Sequence, residues 1–403
     1  MNTDNCIINK FSIFDLNIVL IFVGYAVVST LIPNINSAIV SLAFSLVSLI
    51  CLFRSGVKIK TIFKVGDVYL IMIILILLRT TLDLYIGSLS YVTASMKIYV
   101  MVYGYGVVLI PLLSVMSSYE KINWRLSLLV IFLLLFIVVG YGVATSSMER
   151  HIMVNGRIRM NDKLGSIAFA EKASYLMMLS LVHLVFPPFN RRFLKNAVKV
   201  LSILGLVLAF YGFGRAASRG PFLAAFAVVI FFLYNNSKHF KTWVFVSLII
   251  VLLGSATLLS SFEKFAPLLY ERIESTLEEG DEGRTMLTDE GIEMLKASPI
   301  IGDNPLIIWN GGFTGRHNVF IDIALFLGIF GLIVYVVLVL KLLFRIKNFK
   351  RSDPVSLFFY MIFISCMVRS VTSFTLLKDA IFSIMFVMTR VYAELEYNRN
   401  RLK

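Results

Sequence analysis

The chain has 403 residues, 58% of them hydrophobic and 15% charged, with a mean hydropathy of +0.85. A soluble fold of this size cannot hide so much apolar surface, which excludes a soluble enzyme or binding module and leaves a membrane protein. The net charge of +14 does not call for nucleic acid, because the cytoplasmic loops of a multi-span protein carry such an excess on their own.

Apolar runs long enough to span, about 17–25 residues each, fall near 14–32, 37–53, 67–84, 96–117, 126–145, 165–186, 197–214, 219–234, 242–261, 317–340, 355–374 and 376–393. The first is too long for a signal-peptide core and lacks a small-residue cleavage pattern, so it reads as retained. The expected fold is an all-α polytopic membrane protein of about twelve transmembrane helices, with residues 1–403 forming a single membrane domain. Cys6, Cys51 and Cys366 have no C-x-x-C spacing and suggest neither a disulfide framework nor a zinc site.

Basic residues test the topology. Arg54, Lys58, Lys60 and Lys64, then Lys121 and Arg125, then Arg191, Arg192 and Lys195, then Lys238 and Lys241, then Arg345, Lys347, Lys350 and Arg351 mark alternate loops. Lys10 and the Arg399, Arg401 and Lys403 tail fall on that same side, so both termini are expected in the cytoplasm. The opposite face then holds two longer segments, 146–164 and 263–316. Both are unusually basic for an external face, with Arg150, Arg157, Arg159 and Lys163 in one and Arg272, Arg284, Lys296 and Arg316 in the other. An anionic ligand would account for these charges, and a solvated loop surface would account for some of them.

The larger loop is expected to be partly helical. Leu287, Gly291, Met294 and Leu295 recur at i, i+4, i+7 and i+8, and Ser298-Pro299 ends the pattern because a residue before proline avoids the helical region. Arg284 would lie in the first turn, where a cation gains nothing from the helix dipole.

Four sets of residues carry the candidate chemistry. His317, in G-R-H-N at the mouth of a long apolar helix, suits proton transfer, although taken by itself such a residue is more often an interfacial histidine with a satisfied hydrogen bond. Arg215 and Arg219, in F-G-R-A-A-S-R-G-P, would share one face if helical, an arrangement that makes sense around an anion or as snorkelling from helix ends. Arg157 and Arg159 form the third set. Glu171, Lys172 and Arg369 are ionisable groups near or within spans and are functional candidates by default. No Walker-type phosphate loop, dinucleotide fingerprint, H-E-x-x-H or nucleophile elbow occurs. No D-x-D pair occurs either, so the usual metal clamp for a sugar diphosphate is missing and no metal is expected.

Arg284 with the downstream S-P-I-I-G, followed by H-N-V-F-I-D-I-A-L-F-L-G-I-F-G, resembles the signature of the O-antigen polymerase and O-antigen ligase superfamily, bacterial membrane glycosyltransferases of the GT-C type. A-A-S-R-G-P-F-L-A-A-F resembles that family's arginine-bearing helix and puts Arg219 on the family arginine. Arg159, six residues before Gly165, resembles its external-loop arginine. The resemblance implies a GT-C-like fold and a glycan donor carried on undecaprenyl diphosphate. An acceptor hydroxyl would attack the anomeric carbon with inversion and expel the lipid diphosphate, with no cofactor.

Arg159, Arg219 and Arg284 would neutralise the leaving group, and His317 would take the acceptor's proton. Arg157, Arg215, Arg316 and Asn318 would contact the diphosphate or the glycan, and Arg316 could depress the pKa of His317. The site would lie on the periplasmic face of the inner membrane. Membrane lipids and a chain-length regulator protein are the further partners implied. The compact interval from Arg284 to His317 and the form G-R-H-N-V-F-I-D favour a polymerase, whose acceptor is a second lipid-linked repeat unit. A ligase, whose acceptor is the lipid A core, is the alternative. A lipid-linked oligosaccharide flippase would also have about twelve spans, but would be expected to show repeat symmetry and no large loop.

Overall fold

The computed structural model describes residues 11–24, 26–28, 37–57, 59–148, 166–236, 270, 274, 282–309, 312–346, 353–372 and 380–401. In chain order the helices are α1 (Ile13–Gly24), α2 (Ser37–Ser55), α3 (Ile59–Tyr85), α4 (Ala94–Ser118), α5 (Trp124–Met148), α6 (Ser166–Val185), α7 (Arg192–Ala216) and α8 (Arg219–Asn236). After these come α9 (Glu282–Ala297), a two-stranded hairpin of β1 (Ile307–Trp309) and β2 (Gly312–Thr314), and then α10 (Val319–Ile346), α11 (Pro354–Thr372) and α12 (Ala380–Arg401).

Among the described residues, α4, α5, α6, α7, α10 and α11 are long and apolar enough to cross a membrane, and Ile13–Gly24, Ile39–Ser55 and Arg219–Tyr234 are shorter apolar helices. Six of the twelve expected runs thus appear as helices able to span, and those at 14–32, 37–53 and 219–234 are the shorter ones. Those at 67–84 and 376–393 lie in helices outside this set, and the run at 242–261 lies outside the described residues. The structure is that of an all-α polytopic membrane protein with one departure, the hairpin. Helical stripes of exposed apolar side chains run along Ile39, Leu42, Leu46, Ile50 and Phe53, and along Val200, Ile203, Leu204, Val207 and Phe210. Such stripes would aggregate in water and are at rest against lipid.

The interior of the bundle is α6 and α11, with 78% and 72% of their apolar stretches buried against 39% in α4, α7 and α10. Small residues on α7 let α6 approach closely. Gly205 rests on Ser180 and Leu176, Gly212 rests on Ala173, and Ala209 and Ala216 are buried on the same face. In a membrane, where burial of apolar surface does not drive helices together, this close backbone approach is a principal source of association.

One apolar run that reads as continuous, 317–340, is interrupted, and a second break falls where the 67–84 run begins. α3 has a non-helical residue at Asp67 (φ 48°), and α10 breaks at Gly328 (φ 69°, ψ −175°). α4 contains a π-helical segment, Val102–Leu109, where Ser45 Oγ donates to the Gly106 carbonyl at 2.7 Å.

Candidate functional site

The segment from α9 to α10 is bound to the bundle at three places. The first is the break in α10. There the Leu325 carbonyl accepts from Asp303 N–H at 2.7 Å, and Ile329 N–H donates to the Pro299 carbonyl at 2.9 Å, so the chain after α9 takes up groups that the broken helix leaves open. A Cβ on Gly328 would lie 1.8 Å from the Ile300 carbonyl oxygen, and one on Gly302 (φ 76°) would lie 1.9 Å from that of Leu325. Only glycine satisfies both the backbone angle and the contact.

The second anchor is α3. Asp83, buried near its end, accepts from Arg79 Nε at 2.9 Å and from Asn304 Nδ2 at 2.8 Å, while Arg79 Nη1 donates to the Ile301 carbonyl at 3.2 Å. The third is the hairpin, which pairs Ile307 with Thr314 and Trp309 with Gly312. It buries Phe313 completely against the rings of Tyr99 and Tyr103 on α4, at 5.9 and 6.0 Å.

On this frame, α9 packs along the first turns of α10. Leu287, Met294 and Leu295 are half-buried and Gly291 is buried against Ile321. Arg284 lies in the first turn of α9. Arg316 is 6% exposed and donates from Nη1 to the Glu290 carboxylate, from Nη2 to Met294 Sδ at 3.0 Å and from its backbone N–H to the buried Asp322 carboxylate at 2.9 Å. Its guanidinium therefore joins α10 to α9. His317 follows, half-buried and in the left-handed region (φ 59°). Asn318 then caps α10, its side-chain oxygen accepting from Phe320 N–H at 3.0 Å and Ile321 N–H at 3.4 Å.

Arg215 and Arg219 do not share a helical face. α7 ends at Ala216, Ala217 adopts the left-handed region (φ 46°, ψ 40°), and α8 starts at Arg219. The two arginines flank one tight turn between helices, and the shared-face expectation fails because the helix it assumed is interrupted. Arg215, in the last turn of α7 where a cation suits the dipole, lies over the Tyr211 ring and donates to its hydroxyl from Nε at 3.1 Å and Nη2 at 2.8 Å. Arg219 is half-buried at the first position of α8. Arg157 and Arg159 lie outside the described residues.

Between these regions run the interior helices. α8 packs on α11 and α6, and α11 also packs on α10. Glu171 of α6 and Arg369 of α11 form a buried ion pair, with Arg369 Nη1 and Nη2 each 3.2 Å from a Glu171 oxygen. Tyr175 donates its hydroxyl to the same carboxylate at 2.5 Å, and Lys172 Nζ lies over the Tyr175 ring at 5.3 Å. Among the described residues, no three His, Cys, Asp or Glu side chains gather to hold a metal ion.

Residues 204–336 match the family model described as O-antigen ligase. Over this stretch the chain is similar to the O-antigen ligase family. The match supports the superfamily of O-antigen ligases and polymerases without separating the two branches. It spans about a third of the chain, and Arg215, Arg219, Arg284, Arg316, His317 and Asn318 all fall inside it while Arg157 and Arg159 do not. No curated protein and no solved structure matches.

The matched stretch also holds residues with no role in the sequence analysis. Glu290 and Asp322, the two carboxylates that fix Arg316, are among them. A third carboxylate, Asp83, lies outside the matched stretch and holds Asn304. Their signal is weak in sequence, since Glu290 and Arg316 are 26 residues apart and Asp83 and Asn304 are 221 apart.

Proposed function

We propose that the chain is a membrane glycosyltransferase that polymerises a surface polysaccharide. It joins repeat units carried on undecaprenyl diphosphate at the outer face of the cytoplasmic membrane, inverting the anomeric centre without a metal. The observation that supports this best is the convergence of the O-antigen ligase match with the build of the α9–α10 segment, which keeps the helix of Arg284 against the turn that bears His317.

In this reading Arg219 and Arg284, with Arg159, hold the diphosphate. Their forks match its oxygens in parallel hydrogen bonds and neutralise the charge that builds on the leaving group. His317 accepts the proton of the attacking hydroxyl. Two left-handed non-glycine residues, Ala217 beside the arginines and His317 itself, fit a site where backbone strain serves positioning. Arg316 acts here through Glu290 and Asp322, holding α9 in place.

The family description also favours a second reading, transfer of the glycan to the lipid A core by a ligase. Purified protein given a lipid-linked repeat unit alone tests between them. A ladder of longer lipid-linked glycans supports polymerisation, and a product formed only when lipid A core is added supports ligation.

A further inference from the structure

The end of the bundle opposite the Arg215–Arg219 turn contains a cavity of about 940 Å³ that the glycosyltransferase reading leaves unused. Three long helices begin at or beside its wall, α5 at Trp124, α7 at Arg192 and α11 at Pro354, so three positive dipole ends lie there against the single negative end of α6 at Val185. Lys121, Arg125 and Lys195 line it against two acids, Asp15 and Glu120.

The acids are already engaged. Asp15 accepts from the Ser12 and Asn123 backbone N–H groups, at 2.8 and 2.7 Å, and from the Ser127 hydroxyl at 2.9 Å; Glu120 accepts from the Tyr119 hydroxyl at 2.8 Å. Of the cations, Lys121 donates to the Ser55 carbonyl, while Arg125 and Lys195 are exposed. At the floor lies His183, 3% exposed, and neither ring nitrogen has a hydrogen-bond partner among the described residues. The Leu179 carbonyl one turn back comes near the ring without meeting hydrogen-bond geometry. A buried polar group without a partner is costly unless something else supplies one.

We infer that this cavity binds the phosphate headgroup of an anionic phospholipid. The phosphate sits among Arg125, Lys195 and the helix ends, and a polar group of the headgroup reaches His183. The rest of the lining favours a lipid over a soluble phosphate compound. Leu128, Leu129 and Val182 make an apolar floor, and the exposed side chains of Val185 and Phe193 continue it outwards onto the lipid-facing surface. Basic pockets between membrane helices recognise acidic headgroups in this way. The site is independent of the transferase reading, and its test needs no activity.

Full-length protein is purified in mild detergent, exchanged into nanodiscs containing equal parts phosphatidylglycerol and phosphatidylcholine, re-extracted, and its retained lipid counted by mass spectrometry. Wild type is expected to keep at least one phosphatidylglycerol per chain. Arg125→Glu with Lys195→Glu should lower that occupancy about tenfold, and His183→Phe, which fills the floor with a ring of similar size, severalfold. Lys64→Glu, an exposed basic residue that does not line the cavity, should leave it unchanged. Equal loss in Lys64→Glu would reduce the effect to general surface charge and overturn the site. Retention unchanged in both cavity variants would overturn it as well. Displacement of the lipid by millimolar inorganic phosphate or glycerol phosphate would assign the cavity to a soluble compound instead and overturn the lipid assignment.

Discussion

Arg316, buried at the head of α10, is joined to Glu290 of α9, so the residue beside His317 is tied to the helix that bears Arg284. The pair is asymmetric, with side chains 6% and 52% exposed. Its contribution therefore lies between the about 0–1 kcal/mol of an exposed pair and the about 3–5 kcal/mol cost of breaking a buried one.

That asymmetry gives the first prediction. Glu290→Gln strands a buried guanidinium, whereas Arg316→Met combined with Glu290→Gln removes the charge as well as its partner. The single variant is expected to lower the thermal unfolding midpoint in detergent by more than the double variant does relative to Arg316→Met. Additive losses across the cycle would mean that the two side chains do not interact in the folded protein.

Gly302 and Gly328 allow the second. A left-handed backbone costs a non-glycine residue about 1–2 kcal/mol, and each added methyl would also run into a carbonyl oxygen less than 2 Å away. Gly302→Ala and Gly328→Ala should each destabilise the protein strongly. Gly140→Ala, whose new methyl would meet its nearest neighbour, Leu208 Cδ2, at 3.6 Å, should be close to neutral. Comparable melting of all three would remove the crossing of the 299–303 chain over the α10 break from the folded state.

How far these features could be read in the sequence depends on the range of the interaction. Six of the twelve expected hydrocarbon runs appear as helices able to span, legible because each hides its backbone within itself, and the face of α9 followed from the spacing of Leu287, Gly291, Met294 and Leu295. The hairpin was missed although it has a local signal: Asn310-Gly311, a strong two-residue turn pair, stands between Ile307-Ile308-Trp309 and Phe313-Thr314. Tyr211 four residues before Arg215 was equally local and also missed. The break at Gly328 had no such signal. L-F-L-G-I-F-G reads as uninterrupted helix until Pro299 and Asp303 are brought alongside it. The left-handed turn at Ala217 is hidden in the same way, since alanine favours continuing the helix and packing at the α7–α8 junction overrides it.

The third prediction concerns the interior. Arg369→Met leaves the Glu171 carboxylate deep between α6 and α11 with Tyr175 as its remaining strong donor among the contacts described, a loss of about 3–5 kcal/mol. Adding Glu171→Gln should recover much of that stability. If the doubly substituted protein is well folded but inactive, the pair serves the reaction, and if it is active, the pair is structural. Unfolding in detergent and glycan assembly on the same preparations supply the two readings.

Metal dependence gives a fourth. With no D-x-D pair in the chain, an arginine clamp should work in the presence of chelator, so the rate on a lipid-linked repeat unit is expected to be unchanged in EDTA. A rate that collapses and returns with magnesium or manganese would sink the metal-independent reading.

The last prediction separates clamp, base and backbone. If Arg219 and Arg284 hold the diphosphate, lysine keeps the charge but loses the two-pronged geometry. Losing one such donor costs about 10²–10³ in rate, enough to abolish long polymer. His317 needs a finer test, because its left-handed backbone makes His317→Ala ambiguous. Alanine would remove the imidazole and also strain the turn before Asn318. Glycine and asparagine tolerate that conformation, so His317→Gly and His317→Asn keep the turn and delete the proton acceptor. If the imidazole takes the hydroxyl proton, all three variants stop chain growth while binding of an undecaprenyl diphosphate analogue persists, since the interaction is made mainly in the transition state. If the residue serves only the turn, glycine and asparagine restore the glycan ladder that alanine loses, and His317 is then a structural element of the α10 cap.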